Sequence, residues 1–599
     1  MTADQGRPPR TSAPGATVPD AAGDLAGALD LLLADGALGV LRRFRPDGAA
    51  LRLAAGLARR PQLVAGQMAS LGTELARIAG GRSQIAPERR DRRFTDPAWA
   101  QNPLLKRAMQ AYLASGRTAE SVLAAADLGW RDAERMRFVL MNLIAATSPS
   151  NIPLLSPSAI KALVDTGGFS AARGLRALVR DLAAAPRVPS MVEPDAFAVG
   201  TDLAVTAGAV VYRTEMFELI QYTPTTEQVS RYPLVIVPPM INKFYITDLS
   251  PGRSLSEFLV GQGHQVFAIS WRNPDYRHKD WDLDSYGAAV VDALGAARAI
   301  TGAARASICA LCSGGIVSAM VAAHLNQLAQ LDTVASLCLG VTVLDQARAG
   351  TAGAMIDERT AAAAMAASKA RGYLDGRTLA EVFAWLRPDD LIWNYWVNNY
   401  LQGKSPPAFD ILFWNADTTR LPAALHHDFI RLALGNSLVK PDAATMLGSP
   451  VDLSKVDTDT YVVAGIADHL CPWQSCYRTT QLLGGQVTFV LSTSGHIASM
   501  VNPPDNPKAT FQVAATAPEG HAAPQGHPEA RGPGTPRADN PADPAEWLGA
   551  ATTASGSWWP HYSAWLTARS GGTKKRRARA GSKEFAVLCP APGTYVHDR

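Results

Sequence analysis

Hydrophobic positions follow two regimes along the chain. From Leu25 to about Phe169 the sequence is rich in Ala, Leu and Arg. Apolar residues recur there near helical spacing, as in Pro103–Ser115 (PLLKRAMQAYLAS) and Ala133–Leu143 (AERMRFVLMNL). That spacing gathers apolar side chains on one face of a helix, so the pattern predicts a mostly helical N-terminal domain over 24–192. After about Val192 short apolar runs alternate with helical stretches. Strands are predicted at Leu234–Pro238, Gln265–Trp271, Ser307–Leu311, Val334–Leu344, Tyr461–Ala464 and Val487–Leu491, with helices at Leu283–Ile300 and Gly315–Leu328. Alternating strands and helices imply a parallel sheet covered on both faces, whose strands are apolar throughout. This second region, 193–599, is expected to be an α/β catalytic domain.

The stretch of about 350–446 interrupts the alternation with helical patterns carrying Trp385, Trp393, Tyr395, Trp396, Tyr400 and Trp414. An insertion between two sheet strands predicts a cap over the C-terminal edge of the sheet. Residues 1–23 are small, polar and proline-rich, and are expected to be disordered. Residues of about 503–543 are rich in Pro, Gly, Ala and His without periodicity, which predicts a mobile loop. The basic run Lys574-Lys575-Arg576-Arg577 reads as a solvated tail.

Length and composition narrow the class. A domain usually takes ~100–200 residues, so a chain of 599 residues should hold more than one. With 47% hydrophobic and 18% charged residues it can build large cores. A net charge of +4 is too small at this size for strong nucleic-acid binding as a whole-chain property. Six cysteines cannot staple a disulfide scaffold. The longest apolar run, Thr333–Leu344, is short of the ~18 residues of a membrane span. Arg7 and Arg10 are followed by no apolar stretch, so no secretory signal is expected. These features predict a cytoplasmic enzyme with reduced thiols.

The sharpest chemical signal is Ala310-Leu311-Cys312-Ser313-Gly314-Gly315, where a β run gives way to a helix. A nucleophile between strand and helix, with a small residue two positions before it and Gly two positions after, matches the nucleophile elbow G-x-S-x-G with Cys for Ser and Ala for the first Gly. The helix N-terminus behind Cys312 is expected to lower its thiol pKa. Cys309 and Cys312 also form C-x-x-C. A zinc site needs about two more ligands, and Cys471 and Cys476 lack the usual spacing. A redox pair is disfavoured because Cys309 lies inside the strand, so no metal is expected. In α/β-hydrolases an acid and then a His follow the nucleophile in the chain. Asp468, in Ala467-Asp468-His469, and His496, in Ser494-Gly495-His496-Ile497, both follow predicted strands and are the expected acid and base. Asp345 is the alternative acid; His469, His426 and His427 are alternative bases. The oxyanion donors should be the backbone N–H of Ser313 and of either Met240 or Ile241, since Pro238 and Pro239 carry none.

These residues resemble the polyhydroxyalkanoate synthases. The resemblance is carried by Pro238-Pro239-Met240-Ile241-Asn242-Lys243-Phe244-Tyr245, Ser270-Trp271-Arg272-Asn273-Pro274, Cys312-Ser313-Gly314-Gly315, Trp393-Asn394-Tyr395-Trp396, Phe413-Trp414-Asn415, Ala467-Asp468-His469 and Ser494-Gly495-His496-Ile497. Within that family, Thr418-Thr419-Arg420-Leu421-Pro422 and Thr594-Tyr595-Val596-His597 look like the class II, medium-chain type. Two features depart from the family pattern, Ala310 for the usual Gly and the length of the loop of about 518–543. The resemblance implies an α/β-hydrolase fold with a cap, and a Cys312–His496–Asp468 site that polymerises (R)-3-hydroxyacyl-CoA through an acyl-cysteine, with coenzyme A as leaving group and no cofactor. It also implies a homodimer at the surface of cytoplasmic polyester granules. Whether His496 or Asp468 activates the acceptor hydroxyl stays open. The rival activities are an acyl-CoA thioesterase with the same triad and a non-catalytic granule protein.

Overall fold

The six predicted apolar runs form the centre of an eleven-stranded sheet in the computed structural model, which describes residues 48–89, 91–183, 186–348, 354, 358–468, 470–514 and 540–599. In chain order the strands of this sheet are β1 (Gly208–Arg213), β2 (Phe217–Tyr222), β3 (Leu234–Val237), β4 (Val266–Trp271), β5 (Ala306–Leu311), β6 (Val334–Gly340), β7 (Thr460–Gly465), β8 (Val487–Ser492), β9 (Thr510–Val513), β10 (Thr552–Ser555) and β11 (Cys589–Pro590). Their spatial order is β10-β9-β8-β7-β6-β5-β3-β4-β2-β1-β11. The strands β4, β3, β5, β6, β7 and β8 run parallel to their neighbours. β2, β1 and β11 extend one edge antiparallel, and β9 and β10 extend the other. Every residue of β3, β4, β5 and β7 is buried. Helices cover both faces, so these strands need no polar alternation.

The sheet is thus mixed rather than purely parallel. The expected mobile loop also needs correction: Thr510–Val513 is strand β9, and the far end is tied down by Asn540, whose Nδ2 donates to Val487 O at 2.7 Å. Backbone pairing with β8 orders a segment that its composition did not mark. The expected disorder at 1–23 and the middle of that loop lie outside the described residues. The basic run is no free tail either. Thr573–Lys575 pairs antiparallel with Gln228–Ser230, and Lys574 Nζ donates to Thr301 O at 2.7 Å.

The N-terminal region is helical, with Pro61–Ala79, Pro103–Ala124, Trp130–Ala146 and Phe169–Ala183 as its longer helices. It leans on the inserted segment. Tyr400 OH donates to Asp181 Oδ2 at 2.8 Å, Asn399 Nδ2 to Ser190 O at 2.7 Å and Trp396 Nε1 to Asn151 O at 3.2 Å. Between β6 and β7 that insertion folds as helices, two of them single π-turns at Pro388–Trp393 and Trp396–Leu401. Wide turns of this kind are rare and concentrate at functional sites. Most of its aromatics do core duty, Tyr395 and Trp414 being 2% exposed. No helix among the described residues is long and apolar enough to cross a membrane.

Candidate active site

Cys312 follows the last residue of β5 and caps the helix Ser313–Gln327. Its φ of 53° is left-handed, a conformation that costs a non-glycine residue about 1–3 kcal/mol. The surroundings hold it there: its N–H donates to Gly340 O of β6 at 2.9 Å. The helix start packs so tightly on β3 that a Cβ on Gly314 would lie 2.5 Å from Val237 O and 2.7 Å from Pro238 O. That contact explains why the position two after the nucleophile must be glycine. Ala310 is fully buried in β5, in register with Val237 and Leu339, so a methyl group is accommodated two positions before it.

The loops after β7 and β8 bring Asp468 and His496 together. Gly465 and Ser492 are register partners at the ends of these strands, so the loops leave the sheet side by side. His496 Nδ1 pairs with Asp468 Oδ2. The other carboxylate oxygen, Oδ1, accepts the backbone N–H of Leu470 at 3.0 Å and of Cys471 at 2.8 Å. The carboxylate is therefore fixed on both sides, and the imidazole is oriented by it. Asp468 is 4% exposed and His496 2%. The charge of Asp468 acts on the Cys312 thiol, which places all three groups in one buried neighbourhood.

Burial pushes the Cys312 thiol up to about 12, against hydrogen bonds from the Ser313 amide and hydroxyl that pull it down. The expected lowering by the helix N-terminus is overturned. A completely buried sulfur loses more hydration on ionising than one helix end returns, and the nearby Asp468 carboxylate opposes a second negative charge. Cys312 is therefore held as the neutral thiol.

The loop after β3 borders the elbow. Met240 N–H donates to Ser313 Oγ at 3.1 Å, and Ile241 follows it, 4% exposed. The cap holds this loop from the other side. Thr419 Oγ1 donates to Met240 O at 3.2 Å, Asn242 Nδ2 to Trp414 O at 3.2 Å and Trp414 Nε1 to Lys243 O at 2.7 Å. Asp345 is engaged by Arg478 Nε at 2.6 Å and Asn436 Nδ2 at 2.9 Å. His426 is fully buried with Nδ1 on Ser368 Oγ at 2.8 Å, and His427 shares its helix, Ala423–Gly435. His469 lies outside the described residues.

One neighbour escaped the sequence reasoning. Cys471 Sγ sits with Asp468 and His496, the ligating atoms all within 4.8 Å of one another. Its place three residues after the expected acid was the available signal. A cleft of 1730 Å³ is lined by Trp99 and Tyr112 of the N-terminal region, Trp393 of the cap, and Ser494 and Asn502 of the segment that carries His496, while Cys312, Asp468 and His496 are not among its lining residues.

Comparison with known proteins fits this arrangement. Residues 90–259 match the family described as Poly-beta-hydroxybutyrate polymerase (PhaC) N-terminus, and residues 233–503 match the alpha/beta hydrolase fold. The chain is 45% identical to Poly(3-hydroxyalkanoate) polymerase 1 of Ectopseudomonas oleovorans, over 90% of this chain and 92% of that protein. It is 44% identical to polymerase 2 of the same organism, with the same coverage. It is 36% identical to Poly(3-hydroxyalkanoate) polymerase subunit PhaC of Cupriavidus necator, over 87% of this chain and 85% of that one. With similarity of that depth across both the helical region and the α/β-hydrolase domain, the chain belongs to the poly(3-hydroxyalkanoate) polymerases, a family of acyltransferases.

Proposed function

We propose that the protein polymerises (R)-3-hydroxyacyl-CoA into a polyester, releasing coenzyme A, with Cys312 as nucleophile, His496 as base and Asp468 as the group that orients His496. One observation carries this: a thiol on a strained elbow shares a buried neighbourhood with an Asp–His pair whose carboxylate is pinned by two backbone N–H groups. His496 takes the thiol proton as Cys312 attacks the thioester carbonyl. The oxyanion develops beside the amides of Ser313 and Ile241, the Met240 N–H being already given to Ser313 Oγ. Collapse expels the CoA thiolate, which recovers the proton from His496. The 3-hydroxyl of a second acyl unit or of the growing chain then attacks the acyl-cysteine. His496 accepts its proton and returns it to the Cys312 sulfur as the ester forms. Sulfur-for-sulfur exchange makes the first step nearly balanced. The buried site keeps water from intercepting the acyl-enzyme.

The substrate is proposed to be medium-chain, the working form a homodimer, and the location the surface of cytoplasmic polyester granules. The protein needs no cofactor in this scheme. Incubating it with (R)-3-hydroxyacyl-CoA of several chain lengths tests the scheme. Insoluble polyester formed with CoA release, fastest with medium chains and lost in Cys312→Ala, is the expected result. Stoichiometric free hydroxy acid would instead identify a thioesterase, and CoA release surviving Cys312→Ala would remove Cys312 as nucleophile.

A further inference from the structure

The Cys471 side chain has no part in this chemistry, yet it stands against the two residues that do. Cys471 is 4% exposed. One ligating atom each from Asp468, Cys471 and His496 lie within 4.8 Å of one another, and all three residues are buried. Thiolate, imidazole and carboxylate are the three donor classes that protein zinc sites use. A thiolate among them selects soft ions over magnesium or calcium. Bonds of about 2.0–2.3 Å around a tetrahedral ion set ligand atoms roughly 3.3–3.8 Å apart, so small side-chain shifts suffice. Further sulfur is close by for a fourth position, since the Cys476 thiol hydrogen-bonds Cys471 and the charge of Cys312 reaches it.

We propose that Asp468, Cys471 and His496 bind one thiophilic divalent cation, zinc or cadmium, and that the bound ion arrests the enzyme by withdrawing the imidazole and carboxylate from Cys312. Binding stands on the geometry alone; arrest rests on the catalytic roles proposed above. On binding, the Cys471 thiol gives its proton to buffer and its electron pair to the ion. The His496 lone pair goes to the ion as well and can no longer accept the Cys312 proton. Arrest is reversed when a chelator removes the metal. The side chain at 471 decides the sensitivity, because an Asp–His pair alone offers a soft ion no thiolate.

Titrating the full-length protein with cadmium chloride, with binding read by calorimetry and thiolate ligation by the ultraviolet thiolate-to-cadmium charge-transfer band, tests the site without substrate. One ion per chain is expected in wild type and in Cys312→Ala. Binding should weaken by more than about tenfold in Cys471→Ser and Cys471→Val. The serine variant preserves volume and guards against a folding defect. CoA release should fall as the band grows, recover with EDTA, and resist cadmium in the Cys471 variants, each measured against its own metal-free rate. Equal binding by wild type and Cys471→Ser, or binding lost in Cys312→Ala and kept in Cys471→Ser, overturns the proposal. A full charge-transfer titration on a protein that releases no CoA even without metal would uphold the site and sink the proposed activity instead.

Discussion

Replacing Asp468 by Asn tests how the acid works. Asp468 Oδ1 accepts N–H groups from Leu470 and Cys471 at 3.0 and 2.8 Å, and Oδ2 faces His496 Nδ1. In Asp468→Asn the amide oxygen must take the Oδ1 place. The opposite orientation would set an NH2 group against two backbone donors, at about 1–3 kcal/mol for each bond lost, or about 2–6 kcal/mol together. The amide NH2 therefore faces Nδ1, which must become the acceptor. The ring proton moves to Nε2, and the lone pair needed to receive the Cys312 proton disappears. In a serine hydrolase triad the corresponding change lowers kcat about 10⁴-fold, equivalent to ~5 kcal/mol of barrier. A loss of about 10³–10⁴-fold is expected here, with thermal stability close to wild type because both backbone bonds persist. The assay is rapid-mixing measurement of CoA release. The first turnover should itself be slow, because Cys312 is the group left without a base. A burst of one CoA per site at the wild-type rate, followed by arrest, would show Asp468 acting on the acceptor hydroxyl and refute the orienting role; so would retention of more than a tenth of wild-type kcat.

Other consequences are equally direct. In Gly314→Ala the new Cβ would meet Val237 O at 2.5 Å and Pro238 O at 2.7 Å, both backbone; a loss of about 1–3 kcal/mol in denaturant stability and a large fall in CoA release are expected, and an unchanged midpoint would contradict the close approach. With the Cys312 thiol pushed up to about 12 from an ordinary 9.0, only about one molecule in 10⁴ carries the thiolate at pH 8, so iodoacetamide labelling of Cys312 should climb steadily from pH 7 to 10, and a plateau below pH 8 would refute the raised value. The same shift means the folded protein holds a proton that the unfolded chain releases, so its contribution to stability is complete below about pH 9 and declines from there toward pH 12; the fall should be shallower in Cys312→Ala than in wild type. Cys309 is in register with Cys338 and its thiol meets Cys338 and Tyr562, so Cys309→Ala should keep at least half the wild-type rate of CoA release at a cost of about 1 kcal/mol in stability; inactivation without unfolding would mean the register of β5 is wrong.

The central strands were legible because both of their faces are covered. Strand β3 is apolar throughout, and β5 and β7 are buried along their whole length with only Ser307, Thr460 and Tyr461 bringing hydroxyls, and a nearly continuous apolar run needs no knowledge of its partners. The outer strands were not. β2 buries Glu218 and Gln221 in its interior, and Glu218 is satisfied by Arg213 and by the Thr594 amide and hydroxyl and the Tyr595 amide, the last three some 376 residues away. β10 is four small residues, three of them polar, Thr552–Ser555, which become a strand because β9 lies beside them. The basic run around Lys574 looked solvated for the same reason: carbonyls that accept its side chains, such as Thr301 O, belong to a distant helix.

Local sequence carried the chemistry of the site: a thiol between strand and helix, glycine two places on, then an acid and a histidine after later strands in the order that the sheet demands. Those are constraints on one or two neighbouring elements, and neighbours are what a linear pattern records. Engaging Asp345 with Arg478 and Asn436, giving the Cys312 thiol its proton, and setting Cys471 against His496 all depend on which distant groups share a space that excludes water. Electrostatic energies there follow burial and distance, quantities that exist once the chain has closed around them.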